Sequence, residues 1–294
     1  MGFSLSYCAL MYPEKVGEDE SDWRAAGGIH TFERGISKLV SMSSLAARMR
    51  QFETALDQRA LPQNYLVARL DGRNFTRLTR ELHDFEAPFD SRFRDLMLGA
   101  AKHLMGCGFR AQFAYVQSDE ISLLLHKDDT TFGRNLRKTL SVLAGEASAA
   151  FSATLGAPAA FDCRVLQLPT AEFVGDYYTW RQTDATRNAL NAHCYWLLRK
   201  QGNDGSQATA ALRGMAVSDK HDLLFASGTN FNELPLWQRR GVGLYWENRP
   251  HSGVNPLEGT DVASQRRVLV DNQELPIGDA FAALVRAQLG ESAA

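Results

Sequence analysis

The sequence predicts an α+β fold of the ferredoxin-like type, in which strands and helices follow the order βαββαβ. Two observations predict this order. Four short apolar runs have the length of strands, and two longer segments carry apolar residues at helical spacing. One helical segment separates the first two runs, and the other separates the last two. Helices in this order would cover one face of an antiparallel sheet and leave the other face for substrate.

The predicted strands are apolar runs that end at turn residues. The first run leads into Asp71-Gly72, and the second and third flank a turn at Ser118-Asp119-Glu120. The fourth stops before Pro169, which cannot donate a hydrogen bond to a sheet. The four predicted strands are Tyr65–Leu70, Gln112–Gln117, Ile121–Leu125 and Ala160–Leu168.

The two predicted helices each carry one apolar stripe. Asp90 or Ser91 caps the first helix, and Gly106 and Gly108 end it. Its stripe is Phe93, Leu96, Met97, Ala100, Ala101 and Leu104. The second helix runs from about Phe132 to Leu155, with the stripe Leu136, Leu140, Leu143, Ala147, Ala150 and Phe151.

The flanking sequence divides the chain into three parts. Residues 1–42 show no sustained periodicity and contain a Gly-Gly pair and an acidic cluster, which predicts a poorly ordered N-terminal extension. Residues 43–170 hold the βαββαβ unit. Residues 171–294 are mainly helical. The predicted elements there are a long helix Phe173–Lys200, helical segments near Gln207–Arg213 and Ser218–Phe225, a strand-like run Arg267–Val270 and a final helix Asp279–Leu289.

The composition is that of an ordinary globular protein. The chain has 294 residues, 45% of them hydrophobic, and a formal net charge of -2, which argues against a strongly basic histone-like protein but leaves room for a local basic face. Its four cysteines form no CxxC pair, so neither a zinc ribbon nor a disulfide framework is indicated. We therefore expect a cytoplasmic location and, since no run of about 18 apolar residues occurs, no membrane span.

Two acidic turns carry the strongest chemical signal. If the first and third strands are neighbours, Asp71 and Asp119 converge at one end of the sheet. Convergent carboxylates suit magnesium, and two such ions can clamp the reacting oxygens of a phosphoryl transfer. Polymerase-type palms keep their metal ligands at these two places, so the predicted class is a polymerase-type palm with a helical C-terminal extension. The alternative is that Asp71-Gly72 and Asp119-Glu120 are ordinary surface turns.

Basic and aromatic residues suggest partners but leave alternatives open. Arg73, Arg77, Lys127, Arg134, Arg137 and Lys138 could hold a triphosphate, or form a solvated basic surface. In the long helix, polar residues alternate with Trp180 and Trp196. This pattern is typical of an RNA-stacking surface, or of a helix that packs its tryptophans inward.

Taken together, these stretches resemble the tRNA-His guanylyltransferase family, whose members add nucleotides to the 5′ end of RNA. The matching motifs run from about residue 45 to about residue 250. They are Arg69-x-Asp71-Gly72-Arg73-x-Phe75, Pro88-x-Asp90, Tyr115-x-x-Ser118-Asp119-Glu120-x-Ser122, Phe161-Asp162-x-Arg164, Trp180-Arg181-Gln182-x-Asp184, Arg187-Asn188, Lys220-x-x-Leu223-Leu224-Phe225, Asn232-Glu233-Leu234-Pro235 and Arg240-Gly241.

The resemblance implies a two-metal enzyme that binds tRNA. Asp71 and Asp119, with the Gly72 carbonyl, would bind two magnesium ions, and Glu120 would complete the catalytic set. Activation would use ATP or GTP, and the assembly would be a homotetramer, a dimer of dimers. The residues implied to bind nucleotide are Arg73, Asn74, Phe75, Asp90, Ser118 and Lys127, and those implied to bind tRNA in region 171–294 are Arg181, Arg187, Asn188 and Lys220.

The chain departs from the eukaryotic pattern of this family. Of the eukaryotic His-Ile-Asn-Asn-Leu-Tyr-Asn-Thr run, only Asn188 and Leu190 remain in 186–193, and Thr76 and Ala87 replace a His and a Lys. This set resembles the bacterial guanylyltransferase-like branch, which implies template-dependent 3′-5′ nucleotide addition that repairs tRNA 5′ ends. The alternatives are non-templated guanosine addition to tRNA-His, an NTP cyclase-type enzyme without RNA, and a catalytically silent tRNA-binding protein.

Overall fold

The computed structural model describes residues 45–254 and 261–290, so the predicted extension 1–42 lies outside the described residues. A first helix, α1, spans 45–54 and belongs to a unit separate from the compact unit that begins at Asp57. That compact unit holds the elements of the predicted palm and of the region that follows it.

The elements follow the predicted order through the palm. They are β1 (Tyr65–Gly72), α2 (Phe75–Arg77) continued by a wider helical turn (Leu78–Leu82), α3 (Ser91–Leu104), β2 (Ala111–Gln117), β3 (Glu120–Leu125), α4 (Leu136–Leu155) and β4 (Phe161–Leu168). The elements beyond the palm are α5 (Ala171–Lys200), α6 (Gly205–Leu212), α7 (Val217–Ala226), α8 (Leu236–Arg240), β5 (Val242–Val254), β6 (Asp261–Asn272) and α9 (Asp279–Ala287).

The sheet has the strand order β4-β1-β3-β2-β5-β6, and neighbouring strands are antiparallel. Its first four strands confirm the ferredoxin-like prediction. β1 is central to them, and Asp71 at its end lies opposite Glu120 of β3 and opposite Asp162 of β4. The register therefore gathers carboxylates at one end of the sheet.

Helices α3 and α4 cover one face of the sheet, as predicted. Leu66, Ala68 and Leu70 of β1 point to this face and pack with Met97, Leu104, Leu143 and Phe151 of the two helices. Asp90 caps α3 by accepting a hydrogen bond from the Arg92 backbone. The start of α4 differs from the prediction, because Phe132, Gly133 and Arg134 have positive φ and form a turn before the Asn135 cap.

The prediction that the other face is open to substrate is wrong. Val67, Phe113, Tyr115 and Leu124 point to that face and pack against Tyr178 of α5 and Phe281 and Val285 of α9. Every residue of β3 is buried, so both faces of this strand require cover. A strand that is buried on both sides reads as a continuous apolar run, which is the pattern of ISLLL.

The region after residue 170 is helical but also carries two strands that extend the palm sheet. β5 pairs with β2 from Val242 to Tyr245, whereas the sequence predicts only the run at Arg267–Val270. Gly243 and Pro250 weaken the strand pattern of β5. The structure gives a reason for Gly243, because a Cβ there would lie 3.2 Å from the Phe113 ring and 3.0 Å from Leu275.

Candidate functional site

The turn between β2 and β3 lies beside the end of β1. Ser118 takes a left-handed backbone conformation (φ 47°) that reverses the chain between the two strands. The Gly72 amide donates a hydrogen bond to the Asp119 carbonyl at 3.0 Å. Asp71 and Asp119 therefore converge at one end of the sheet, which we call the acidic end; it holds Asp71, Asp119, Glu120 and Asp162.

Burial and neighbouring negative charges raise the pKa of both aspartates. The pKa of Asp71 is raised by burial and then by the neighbouring charges of Asp162 and Glu120. Burial and the charge of Asp71 raise the pKa of Asp119, while a hydrogen bond from Ser118 partly opposes this rise. Both carboxylates therefore lie in a site with excess negative charge.

The Glu120 carboxylate is held by two arginines. The Arg181 guanidinium donates from Nε and Nη2 to the two Glu120 carboxylate oxygens at 2.8 and 2.6 Å, and both side chains are buried. Arg69 approaches the same carboxylate at 3.9 Å. Burial by itself would lower the pKa of Arg181, but the hydrogen bonds to Glu120 raise it. The ion pair therefore fixes the Glu120 carboxylate beside Asp71, and the catalytic role of Glu120 stays a prediction.

Asp162 is a member of the acidic end that the predicted site does not include. It lies opposite Asp71 on β4, is exposed, and forms an ion pair with Arg164 at 3.6 Å. The motif Phe161-Asp162-x-Arg164 marks it in the sequence. Its place beside Asp71 depends on the pairing of β1 with β4, which no local pattern specifies.

The donor set of the acidic end fits magnesium. Among the described residues, neither Asp71 nor Asp119 forms an ion pair, and no cluster of three or more His, Cys, Asp and Glu side chains has the arrangement of a metal site. Magnesium is commonly held by one or two carboxylates together with substrate phosphates and water. Two carboxylates with unbalanced negative charge match that requirement.

A cleft of approximately 530 Å³ opens beside Asp71 and Asp119. We call it the main cleft. The α2 segment, the loop 85–90, α5 and α8 form its walls, and its lining includes Thr76, Arg80, Phe89, Arg94, Ser118, Asn188, Trp196, Trp237 and Gln238. Tyr115 fixes the α8 wall by donating a hydrogen bond to the Arg240 carbonyl at 2.9 Å. The volume is within the range of small-molecule sites.

The structure brings part of the predicted nucleotide-binding set to this cleft. Ser118 lines it, and Arg73 and Asn74 are exposed on the turn that follows Gly72. Asn74 has a left-handed backbone conformation and starts α2. Arg80 and Arg94 line the cleft and supply cations that the predicted site does not include.

Of the other predicted nucleotide ligands, Phe75 and Asp90 line the cleft and also make structural contacts, whereas Lys127 does not line it. The Phe75 ring is buried among Phe93, Phe151 and Phe161, although it borders the cleft. Asp90 is occupied by Arg92 and by the Glu86 backbone amide, which hold its pKa at about 2. Lys127 follows the far end of β3, about 20 Å from the acidic end at the usual rise per strand residue, so it does not reach the cleft.

Of the four predicted tRNA-binding residues, two are exposed, one is partly exposed and one is buried. Arg187 and Asn188 are exposed on α5, and both contact Asp184. Lys220 donates a hydrogen bond from Nζ to Asn191 Oδ1 at 3.1 Å. Arg181 is buried against Glu120 and is therefore not an exposed RNA contact.

A palm sheet with paired aspartates at the end of β1 and the adjacent hairpin, beside a cleft of nucleotide size, defines a nucleotidyltransferase of the palm type. The family model for tRNAHis guanylyltransferase matches residues 46–169, and the model for the Thg1 C terminal domain matches residues 172–275. The chain therefore belongs to the tRNA(His) guanylyltransferase family, as the sequence motifs predict.

Relatives and solved structures agree with this assignment. The chain is 34% identical over 253 residues to the probable tRNA(His) guanylyltransferase of Mus musculus, covering 79% of this chain and 84% of the mouse protein. It is 35% identical to the Drosophila melanogaster counterpart over 71% of this chain and 78% of that protein. A bacterial tRNA(His) guanylyltransferase (Thg1)-like protein in complex with GTP matches with a TM-score of 0.66 and 27% identity, over 84% of this chain and 99% of that one. A bacterial tRNA(His) guanylyltransferase (Thg1)-like protein in complex with ATP matches with a TM-score of 0.65 and 26% identity, over 83% of this chain and 99% of that one.

Among the described residues, no helix combines the length and the apolar character that crossing a bilayer requires.

Proposed function

We propose that this protein adds nucleotides to the 5′ end of tRNA in the 3′-5′ direction, guided by the opposite strand of the acceptor stem, and so repairs truncated 5′ ends. The observation that carries the proposal is the pair Asp71 and Asp119 at the mouth of the main cleft. Template dependence is supported by the residues at 186–193, which depart from the eukaryotic run and resemble the bacterial branch.

Asp71 and Asp119, with the Gly72 carbonyl, would hold two magnesium ions. When bound, magnesium lowers the pKa of an attacking hydroxyl and neutralises the charge of leaving phosphates. Burial and then neighbouring negative charges raise the pKa of both aspartates, and a bound cation would offset that negative charge, which supports this role.

The remaining residues of the site bind and orient the reactants. Arg80 and Arg94 in the cleft, and Arg73 on the exposed turn after Gly72, would bind the triphosphate of ATP or GTP, because guanidinium groups donate in pairs to phosphate oxygens. Arg181 fixes Glu120 and thereby the turn that carries Asp119. Bacterial family members in complex with GTP and with ATP support both as activating nucleotides.

The proposal extends to the partner and the assembly. Arg187, Asn188 and Lys220 lie on the helical side of the cleft and would contact the tRNA backbone. We also propose a cytoplasmic homotetramer arranged as a dimer of dimers. Light scattering on the purified protein tests the assembly, and a particle of one or two chains would contradict it.

The test uses a tRNA that lacks its first 5′ nucleotide and bears a 5′-triphosphate, with magnesium and each NTP supplied singly. Templated repair predicts that only the nucleotide complementary to the opposing acceptor base is added. Asp71→Ala and Asp119→Ala should abolish addition and leave the fold intact. Full activity in both variants would overturn the proposal. Product formed from NTP without RNA would instead indicate a cyclase-type enzyme.

The second candidate is non-templated addition of guanosine to tRNA(His). The names of the curated relatives favour it. In the same assay it predicts GTP incorporation whatever the opposing base. RNA binding without any turnover would leave only a tRNA-binding role.

A further inference from the structure

A second concavity of approximately 410 Å³ adjoins the main cleft, and we call it the side concavity. Its lining is Arg80, Asn188, Asn191, Ala192, Tyr195, Trp196 and Thr209. Arg80, Asn188, Ala192 and Trp196 also line the main cleft, whereas Asn191, Tyr195 and Thr209 do not. The two spaces therefore adjoin, and the second extends along α5 away from the acidic end.

Two aromatic rings line the side concavity, and two guanidinium groups lie near them. The rings of Tyr195 and Trp196 meet edge to face at 5.6 Å. The Arg80 guanidinium lies 5.1 Å from the Trp196 ring and 5.7 Å from the Tyr195 ring. Arg199 approaches the same rings at 6.0 and 5.9 Å. A half-buried ring pair flanked by cations offers a stacking surface for a base and donors for its phosphate.

The helix α6 closes the concavity against α5. Gly205 at the start of α6 lies so close to α5 that a Cβ there would be 3.1 Å from Tyr195 Oη and 3.2 Å from Arg199 Nη1. The Tyr195 hydroxyl accepts a hydrogen bond from that Arg199 nitrogen at 3.2 Å. The exposed amides of Asn188 and Asn191 lie on the same helix face and can pair with base edges.

We propose that the side concavity binds an unpaired nucleotide of the RNA substrate, with its base stacked on the ring pair and its phosphate beside Arg80 and Arg199. This inference rests on the proposed function, because it assigns the ligand as RNA. The positive charge of the concavity suits a polyanion. A base in a duplex is already covered on both faces, so a stacking site of this kind selects single-stranded RNA. The site would anchor an unpaired end while the acidic end acts on the paired stem.

The test measures equilibrium binding with EDTA present, so that turnover plays no part. The probe is a fluorescein-labelled single-stranded RNA of about eight nucleotides, within the usual range of such sites, compared with a blunt duplex of the same length and with ATP. Salt is held constant, since RNA affinity depends on it. The variants are Tyr195→Leu, Trp196→Leu, Trp196→Phe and Arg80→Gln. Arg213→Gln, which removes an exposed arginine just after α6, is the matched charge control.

The proposal predicts that Tyr195→Leu and Trp196→Leu raise the Kd for single-stranded RNA by about 5- to 100-fold, the range found for loss of one base–aromatic stack. Trp196→Phe should lose much less affinity for single-stranded RNA, because phenylalanine keeps an aromatic face. Arg213→Gln should bind this RNA with the affinity of the wild type. Tyr195→Leu should leave the Kd for ATP unchanged, since Tyr195 does not line the main cleft.

Three results would overturn the proposal. The first is unchanged affinity for single-stranded RNA in both leucine variants. The second is a loss of ATP affinity in Tyr195→Leu that equals its loss of RNA affinity, which would assign the rings to mononucleotide binding. The third is duplex binding that is as tight as single-strand binding and insensitive to the rings, which would indicate backbone contact alone. Urea midpoints verify that each variant is folded. Failure of nucleotide addition would count against the proposed function and leave this binding result intact.

Discussion

Replacing Arg181 by methionine tests whether the buried ion pair holds the catalytic turn. Arg181→Met keeps most of the side-chain volume but leaves the Glu120 carboxylate buried without its bidentate partner. Removing one member of a buried pair costs about 3–5 kcal/mol. Arg69 still approaches Glu120 at 3.9 Å, so we expect the lower end, about 3 kcal/mol. For a unit of this size that corresponds to a drop in Tm of about 6–12 °C.

The measurement is urea unfolding of the metal-free protein, followed by the nucleotide-addition assay below the new Tm. Adding Glu120→Gln to Arg181→Met should recover about 1–3 kcal/mol, because the unpaired charge is then gone. The matched control is Arg187→Met on the same helix, whose exposed pair with Asp184 is worth at most about 1 kcal/mol. Arg181→Lys should keep part of the stability but lower kcat, since an ammonium group cannot bond both carboxylate oxygens in one plane.

The reasoning would be refuted if Arg181→Met unfolded at the same urea concentration as Arg187→Met. It would also fail if Glu120→Gln destabilised the Arg181→Met protein further. Either result would mean that the pair does not hold the turn, and that Glu120 faces the reactants despite its contacts.

Three further predictions concern residues whose roles the structure assigns. Asp90→Ala should lower the free energy of unfolding by about 1–2 kcal/mol through loss of the α3 cap, and Asp90→Asn should lower it by less. Because the pKa of Asp90 is lowered from 3.8 to about 2, the charge-dependent part of its contribution should persist above pH 4 and disappear as pH falls towards 2, which urea titrations at several pH values measure. Gly72→Ala should destabilise by about 1–3 kcal/mol and impair addition, since the new Cβ would overlap the Phe75 ring; equal activity and Tm would contradict this contact. Lys127→Gln should leave the calorimetric Kd for ATP unchanged, and a tenfold loss would reinstate Lys127 as a ligand.

The sequence predicts the palm well because its signals are local. Strands buried on both faces read as uninterrupted apolar runs, and the turn at Ser118-Asp119 is too short to allow anything but an antiparallel hairpin. Once β1 is placed beside β3, the approach of Asp71 to Asp119 follows from the register. The approach of the two aspartates therefore depends on a single long-range pairing, that of β1 with β3.

The features that the sequence does not predict depend on contacts between residues that are far apart in the chain. Nothing in the pattern around Arg181 separates an exposed RNA contact from a buried partner of Glu120, because the choice depends on how α5 lies on the sheet. Phe75 follows a glycine turn and looks available for stacking until three phenylalanines from α3, α4 and β4 surround it. Gly243 weakens the strand pattern of β5, and the reason for a glycine there is the distant Phe113 ring, which lies 3.2 Å from the position of a Cβ.

One rigid helix couples the chemistry of the acidic end to the cleft walls. The tyrosines of α5 dock on β3, where Tyr177 Oη and Ser122 Oγ are hydrogen-bonded at 2.9 Å and Tyr178 donates to the Ser122 carbonyl at 3.3 Å. One turn later Arg181 binds Glu120, and 15 residues further on, about 22 Å at the helical rise, Trp196 lines both the main cleft and the side concavity. Close packing fixes the helix from outside, since a Cβ at Gly175 would lie 3.2 Å from Ala282 of α9. A bulky residue at position 175 should therefore shift the turn at Ser118–Glu120 and the cleft walls together, whereas changes at Trp196 should affect the main cleft and the side concavity and leave the turn in place.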